Sequence, residues 1–257
     1  MIRPLQPPSR RDDFYYVLRQ IPLKKRAAYH ALHTLITTFN QISEHYREPS
    51  VAAQKLHWWQ DEIQRFFKDQ ATHPLLIALI PERARLSQTA LLALIEANLL
   101  SLKTHIFETH SELMQHYQHL GGIQFDLKAK ILELQTAPIT LHTLGTVSEI
   151  LRHLIHFRHF IQKQHLYFSL EDFRTHQIDP QPILQGREPD SLRPLFDAHF
   201  LQAKTALPAY DPAFKPLYLE VKLQAKQTQR IQEKAWQWAQ FQVELPPLQK
   251  LLLTLWP

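Results

Sequence analysis

Apolar residues recur every three or four positions along most of this chain, which is the spacing of one face of an α-helix. A first long helix is predicted from Pro22, which suits a first helical turn, to about residue 45. Its apolar face consists of Ala27, Ala31, Leu32, Leu35 and Ile36. No run in the sequence alternates apolar and polar residues as a half-buried strand would. The pattern therefore predicts an all-α fold.

The same spacing predicts further helices along the rest of the chain. They fall at residues 50–67, 74–81, 87–102, 111–134 and 138–157, with more after residue 211. Ser50 is the expected N-cap of the second helix. Gly121 and Gly122 lie inside the helix at 111–134, where each costs about 1 kcal/mol relative to alanine. Such a pair indicates a kink or close packing.

The domain organisation follows from length and from the breaks between helices. Residues 176–194 hold four prolines and one glycine, which predicts a loop within a domain rather than a linker between two. The chain has 257 residues and no internal repeat, so it is long enough to bury a substantial core. We predict a single domain over residues 1–257.

Composition excludes several classes of protein. No stretch of about 18 to 20 apolar residues is present, and the first residues lack the apolar core of a secretory signal. The chain has no cysteine, which excludes disulfides, thiolate zinc sites and cysteine nucleophiles. These features favour a cytoplasmic protein.

The net charge is +5 with 16 histidines, so the charge grows more positive below about pH 6.5. Such a chain is compatible with peripheral contact to an anionic membrane. Basic residues are interleaved with acids, and no nucleic-acid-binding signature is present, so nucleic acid is not an expected partner.

The segment from Phe14 to Ile63 carries a series of short motifs in fixed order. These are Phe14-Tyr15, Ile21-Pro22, Lys25-Arg26-Ala27, Ala31-Leu32, Lys55-Leu56, Trp58-Trp59 and Glu62-Ile63, followed by His73-Pro74 and Ala78-Leu79. Weaker matches continue at Glu112-Leu113, Leu120-Gly121-Gly122, Leu144-Gly145 and residues 167–173. In order and spacing, the motifs resemble the squalene/phytoene synthase family over about residues 10 to 180. The resemblance implies an all-α isoprenoid-synthase bundle around a central apolar cavity.

The chain departs from that family at the positions that the resemblance assigns to chemistry. The first Asp-rich motif is replaced by Asn40, Gln41 and Glu44. The second is replaced by His156, His159 and Phe160. The glutamine and asparagine that precede the second motif become Glu149 and Arg152.

These replacements weaken a magnesium site. Magnesium is held by carboxylates, water and substrate phosphates in octahedral geometry, whereas imidazole suits softer metals. Of the three residues in the first motif only Glu44 is an anion. In such enzymes the metals neutralise and orient the diphosphate leaving group. We therefore predict no metal ligand and no cofactor, with magnesium relevant only if the chain is an active enzyme.

Basic side chains near the second motif suggest two other roles. Arg152, His156 and His159 could grip a phosphate directly, as basic side chains commonly do. His153, His156 and His159 are spaced three apart and could share a zinc ion, although the neighbouring arginines disfavour a divalent cation. The positions expected to bind a ligand are Arg19, Arg26, Glu149, Arg152 and Tyr167.

Three functions follow from this pattern. The first is a non-catalytic family member with a binding or assembly role. The run Thr38-Phe39-Asn40 and the tryptophan-containing helix after it resemble the family's respiratory complex I assembly factor, which would imply a protein partner. The second is an active head-to-head prenyltransferase condensing two farnesyl or geranylgeranyl diphosphates, with Glu44, Glu149 and Asp61 rebuilding a metal site. The third is a module that binds an isoprenoid or a lipid phosphate.

Overall fold

The computed structural model describes residues 8–46, 48–103, 106–135, 137–162, 167–185, 192–236 and 244–255. Within these residues the chain forms twelve α-helices. They are α1 (Asp13–Arg19), α2 (Leu23–His45), α3 (Pro49–Phe67), α4 (Pro74–Leu79), α5 (Gln88–Lys103), α6 (His110–Ile131), α7 (Pro138–Ile161), α8 (Leu170–Thr175), α9 (Gln181–Leu184), α10 (Arg193–Ala206), α11 (Lys215–Glu233) and α12 (Pro247–Leu255). Short 3-10 helices occupy Ile80–Arg85 and Pro212–Phe214. The predicted all-α fold is confirmed.

The predicted helix ends are close to the observed ones but differ in detail. Pro22 is the N-cap of α2 rather than a residue of its first turn. Helix α3 begins at Pro49 with Glu48 as its N-cap, so the prediction of Ser50 in that place is wrong. Proline suits the first helical position because its missing N–H has no intrahelical partner there. The predicted loop at 176–194 contains the short helix α9.

One cluster of buried apolar side chains runs through the bundle, from Tyr16 on α1 to Leu245 just before α12. Among the described elements α6 and α7 make the most extensive contact, and α7 also packs on α10 and α11. Helix α2 contacts α3, α4, α5 and α6. Helices α6 and α7 therefore form the centre of the bundle, with other helices packed on several sides of them.

Helices α6 and α7 touch backbone to backbone at two glycines. A Cβ atom on Gly121 would lie 2.2 Å from the carbonyl oxygen of Gly145, and one on Gly145 would lie 2.2 Å from that of Gly121. No side chain fits into that space. Of the pair Gly121-Gly122 singled out in the sequence, Gly121 thus serves close packing against α7.

The last helix, α12, turns its polar side inward. Lys250 and Thr254 are buried, and the Lys250 ammonium forms an ion pair of 2.6 Å with Asp13 on α1. The exposed side is a leucine stripe made of Leu248, Leu251, Leu252 and Leu255. The ion pair of Lys250 and the packing of the partly buried Leu253 against the core both orient this helix.

No helix in the part of the chain that the structure describes is both long enough and apolar enough to cross a membrane.

Candidate functional site

The two degenerate motifs face each other on α2 and α7, where Arg152 joins them. Its guanidinium forms an ion pair with Glu44 of α2 through Nη1. On its own helix, Nη2 lies 2.7 Å and Nε 3.0 Å from Oε2 of Glu149. These three residues form the arginine cluster: Glu44, Glu149 and Arg152. One fixed cation thus pairs with a carboxylate from each of the two walls.

Burial makes this cluster a closed electrostatic unit. The side chains of Arg152, Glu44 and Glu149 are 15%, 12% and 2% exposed. The second carboxylate oxygen of Glu149 accepts a hydrogen bond of 3.2 Å from the Gln124 amide of α6. Burial alone lowers the pKa of Arg152, but attraction to Glu149 and Glu44 outweighs it and raises that pKa above its ordinary value. The guanidinium is therefore permanently charged.

The histidines around Arg152 are held neutral or engaged in hydrogen bonds. His153 donates through Nδ1 to the carbonyl oxygen of Glu149 at 2.7 Å, and its Nε2 accepts from Arg152 at 3.2 Å. Burial, followed by the charge of Arg152, holds the pKa of His153 well below its usual value. The same two causes lower the pKa of His116 to about 4.

The three histidines considered as zinc ligands in the sequence do not converge. His159 Nε2 lies 3.2 Å from the backbone carbonyl of Glu44, and His156 is exposed on the cavity wall. Within the described ranges these histidines are not among the groups whose ligand atoms approach one another closely enough to share a metal ion. The reason is the orientation of His153, whose ring is held inward by Glu149 and Arg152.

The remaining motif residues serve packing and the cavity wall. Asn40 is buried, and its side-chain Oδ1 has no hydrogen-bond partner within the described residues. Gln41 is exposed and lines the cavity. Phe160 is buried with its ring centroid 5.8 Å from the Arg152 guanidinium carbon.

The other predicted ligand-binding residues lie away from the arginine cluster or fill space beside it. Arg26 donates to the backbone carbonyls of Ile21 at 2.8 Å and Arg19 at 3.0 Å, so it ties α1 to α2. The Arg19 guanidinium lies over the ring of Tyr15. Tyr167 is buried, with its ring 3.8 Å from that of His153, and burial raises its pKa. Neither Arg19 nor Arg26 is among the described residues that line the cavity.

An open cavity of about 710 Å³ lies beside the arginine cluster, between α1, α2, α7 and α11. Its apolar lining residues are Pro8, Phe14, Val17, Ile155 and Leu223. Its charged lining residues are Asp12, Asp13, Glu220, Glu244, Arg11, Arg152 and Lys250. The cavity wall is thus more polar than an apolar isoprenoid pocket, because charged side chains of α1, α11 and α12 contribute to it.

A buried ion pair lies next to this cavity, and sequence analysis missed it. Lys128 of α6, only 2% exposed, forms an ion pair of 2.6 Å with Glu220 of α11. His33 of α2 is stacked 3.6 Å from the Phe14 ring, and its Nδ1 has no hydrogen-bond partner within the described residues. Burial, then the charge of Lys128, lowers the pKa of His33. Since 92 residues separate Lys128 from Glu220, no local motif could mark the pair.

The comparisons with known proteins agree with this architecture. The family model "Squalene/phytoene synthase" matches residues 8–249. The crystal structure of squalene synthase HpnC from Alicyclobacillus acidocaldarius is similar, with a TM-score of 0.72 and 17% identity, over 87% of this chain and 89% of that one. A dehydrosqualene synthase solved in complex with a ligand gives a TM-score of 0.78 and 13% identity, over 94% and 89% of the two chains. No curated protein sequence matches the chain.

At these identities the two structures establish the fold, which is the isoprenoid-synthase helical bundle expected from the sequence motifs. The family match covers most of the chain, including both α2 and α7 with the arginine cluster. This chain therefore belongs to the squalene/phytoene synthase family.

Proposed function

We propose that this chain is a non-catalytic member of its family, which keeps the helical scaffold and acts by binding. The observation that carries the proposal is the position of Arg152. Its guanidinium lies between Glu44 and Glu149, the two carboxylates available at the motif positions of α2 and α7. A cation supplied by the chain takes the place that metal ions would need.

A magnesium ion does not fit this arrangement. Magnesium needs oxygen ligands in near-ideal octahedral geometry and is bound through carboxylates and substrate phosphates. Both carboxylates already accept hydrogen bonds from Arg152, so a divalent ion would have to compete with that guanidinium. Displacing Arg152 would leave a buried guanidinium without its partners, at a cost of several kcal/mol. The residues present thus support binding without metal-assisted ionisation of a diphosphate.

Direct capture of a phosphate by Arg152, His156 and His159 receives less support. Arg152 is neutralised by two carboxylates, and His159 is hydrogen-bonded to the backbone of α2. The cavity beside them is lined by four acids and three bases, so it holds no excess of positive charge. Its volume of about 710 Å³ is within the range of small-molecule sites, which is about 300–1,000 Å³. A ligand with several hydrogen-bonding groups suits this wall better than a bare diphosphate.

The leucine stripe of α12 supports the other half of the proposal, a partner in an assembly role. An exposed apolar patch rimmed by polar residues is typical of interaction sites. Replacing Leu248 and Leu252 by glutamine should leave the fold intact, because both side chains are more than half exposed. If the stripe serves assembly, this double variant should lose its protein partner in cells while circular dichroism remains unchanged. Retained assembly would remove this support.

The catalytic half of the proposal is tested by diphosphate release. Purified protein is given farnesyl or geranylgeranyl diphosphate with magnesium and NADPH, beside an active family enzyme as the positive control. We expect release no faster than without protein. Magnesium-dependent release that is lost in Glu44→Gln would contradict the proposal.

The alternative is an active head-to-head prenyltransferase, and one observation favours it. Glu44 and Glu149 reach the same guanidinium, so they face each other across the gap between α2 and α7. The structures that resemble this chain are named as synthases. Asp61 would have to join them, yet it is exposed on α3. Turnover in the assay above would favour this alternative.

The binding half is tested separately. Native mass spectrometry of freshly purified protein reports co-purifying lipid or isoprenoid, and equilibrium dialysis with labelled farnesyl diphosphate reports phosphate capture. A bound species that is lost when Gln224 on the cavity wall is changed to leucine would support cavity binding. If the protein carries no ligand and shows no saturable binding, ligand binding in the cavity is contradicted, and only the role with a protein partner remains.

A further inference from the structure

A second cluster of ionisable side chains lies on three other helices. It consists of His110 at the start of α6, Asp172 on α8 and His199 on α10, and we call it the histidine cluster. His110 Nδ1 lies 2.8 Å from Asp172 Oδ1, and His199 Nε2 lies 3.4 Å from Asp172 Oδ2. One ligand atom from each residue lies within 4.8 Å of the others. This geometry brings two imidazole nitrogens and a carboxylate oxygen to one point.

Local backbone pairing holds two of the three groups, His110 and Asp172, together. The segment before α6 pairs with the segment before α8 through an isolated bridge between Phe107 and Ser169. The amide of Leu170 donates to the Phe107 carbonyl at 2.9 Å. This pairing places the first turns of α6 and α8 side by side, so His110 meets Asp172 although 62 residues separate them.

The carboxylate of Asp172 is divided between two tasks. Its Oδ2 accepts hydrogen bonds from the backbone N–H of Ser169 at 3.0 Å and from its hydroxyl at 2.7 Å, as part of the capping box of α8. Its Oδ1 is directed to His110. The capping contacts fix the orientation of the carboxylate, and Oδ1 is the oxygen left to act as a ligand.

The buried imidazole of His199 supplies an independent sign of a missing partner. The residue is 3% exposed, and its Nε2 has no hydrogen-bond partner within the described residues. It does lie 3.4 Å from Asp172 Oδ2, but this contact lacks hydrogen-bond geometry. Buried polar groups are normally satisfied, so an unsatisfied one calls for an explanation. A metal ion bound between His199 and the neighbouring side chains would provide it.

We propose that His110 Nδ1, Asp172 Oδ1 and His199 Nε2 bind a divalent transition metal, for which zinc is the best-suited ion. Two imidazoles and one carboxylate are common zinc ligands, at about 2.0–2.2 Å from the ion. A tetrahedral site of that radius separates its ligand atoms by about 3.3 Å. The contact between His110 and Asp172 would therefore open by roughly half an ångström on metal binding. A water molecule or an external ligand completes the fourth position.

The surroundings of the histidine cluster suit a cation. The side-chain nitrogen of Gln202 lies 2.9 Å from His110 Nε2. Rotating this amide by a half-turn would place its carbonyl oxygen there as an acceptor. Ligating histidines usually donate their other ring N–H to such an acceptor. Glu171 accepts from the His110 backbone N–H at 2.8 Å, which adds a second carboxylate close by. The nearby Arg174 is paired with Glu108 at 2.6 Å.

The proposal is tested by zinc binding to the full chain, with any polyhistidine tag removed because such a tag binds zinc. The protein is stripped with a chelator and then titrated with zinc in competition with a chromophoric chelator. We expect one zinc per chain, with at least tenfold weaker binding in His110→Gln and in His199→Gln. His119→Gln is the matched control, since His119 is exposed on α6 and should leave binding unchanged. Cobalt in place of zinc should show the visible absorption of a tetrahedral site in the wild type and the control only.

Two results would overturn the proposal: wild-type protein without a one-to-one site, or His110→Gln and His199→Gln variants that bind zinc as the wild type does. Circular dichroism of each metal-free variant establishes folding. If His199→Gln fails to fold, His110→Gln decides, because the His110 side chain is one-third exposed and tolerates replacement.

Discussion

The arginine cluster and the histidine cluster combine similar groups and differ in the source of positive charge. In the first, Arg152 supplies a fixed cation to Glu44 and Glu149. In the second, Asp172 faces two imidazoles and no lysine or arginine among its described contacts. The first therefore contains a cation of its own, whereas the ion proposed for the second would come from the solution.

This difference decides how each carboxylate can interact with an added ion. In the arginine cluster the carboxylates stay paired permanently, because the Arg152 guanidinium does not lose its charge. A neutral imidazole leaves the charge of a neighbouring carboxylate available to a metal ion. It can also bind the same ion, because neutral histidine is a common metal ligand. Four predictions follow from this contrast, in order of decreasing effect.

The largest effect is expected from removing the fixed cation. Arg152→Met leaves two largely buried carboxylates facing each other, which should lower the free energy of unfolding by about 3–5 kcal/mol. Urea denaturation measures it. Adding Glu44→Gln and Glu149→Gln to the same chain should recover most of that loss, since the cost comes from unpaired charge. Arg158→Ala, exposed on the same helix, is the control and should stay within about 0.5 kcal/mol. If Arg152→Met lowers the free energy of unfolding only slightly, the guanidinium is not needed to stabilise the two buried carboxylates.

The next effect concerns pH. Burial and the charge of Arg152 lower the pKa of His116 to about 4 in the folded protein. Between about pH 6.5 and 4 the His116 side chain is therefore neutral in the folded state, whereas in the unfolded state it takes up a proton. The contribution of His116 to the free energy of unfolding is therefore fully present above about pH 6.5 and is lost as the pH falls to about 4. Between pH 7 and 5 the loss should be about 2 kcal/mol. Urea titrations of wild type and His116→Gln at both pH values test it, because the variant should have a shallower slope. Equal slopes would contradict the assignment.

A smaller effect is expected from removing one carboxylate while Arg152 stays. In Glu44→Gln the amide oxygen can still accept from Arg152, which keeps its pairing with Glu149. The unfolding free energy should fall by about 1 kcal/mol. In Glu149→Gln, whose side chain is more deeply buried, the fall should be larger. The reverse order, measured by urea denaturation, would show that Glu44 is the principal partner.

The smallest effect tests the independence of the two clusters. Glu44→Gln should bind zinc with the wild-type affinity, because the histidine cluster shares no residue with the arginine cluster. The same chelator competition measures it. A clear change in zinc affinity would show that metal binding involves the motif positions of α2 and α7.

The fold was predictable because its determinants are local or stand in fixed order along the chain. Helical spacing gave the elements, and the motifs between Phe14 and Ile63 indicated the bundle. The exchange of Asp-rich motifs for Asn40, Gln41 and Glu44 was also visible in the sequence. The partner of Arg152 on the opposite helix was not, since no local pattern indicates that Glu44, 108 residues away, meets it.

The histidine cluster escaped sequence analysis for a related reason. His110, Asp172 and His199 have no common spacing, and their meeting depends on a backbone pairing between irregular segments before α6 and α8. The single local sign was Ser169 three residues before Asp172, which indicates a capping box and not a ligand. Charged groups that converge from distant helices need tertiary structure to be found.

The contact between Gly121 and Gly145 has a consequence for how this protein can vary. Where two helices meet through their backbones, their separation cannot be adjusted by exchanging side chains, so the frame that holds α6 against α7 is rigid. Substitutions around that point can change charge and reactivity but leave the architecture in place. A scaffold of this kind can accept a changed set of charged residues at its site and still keep its shape.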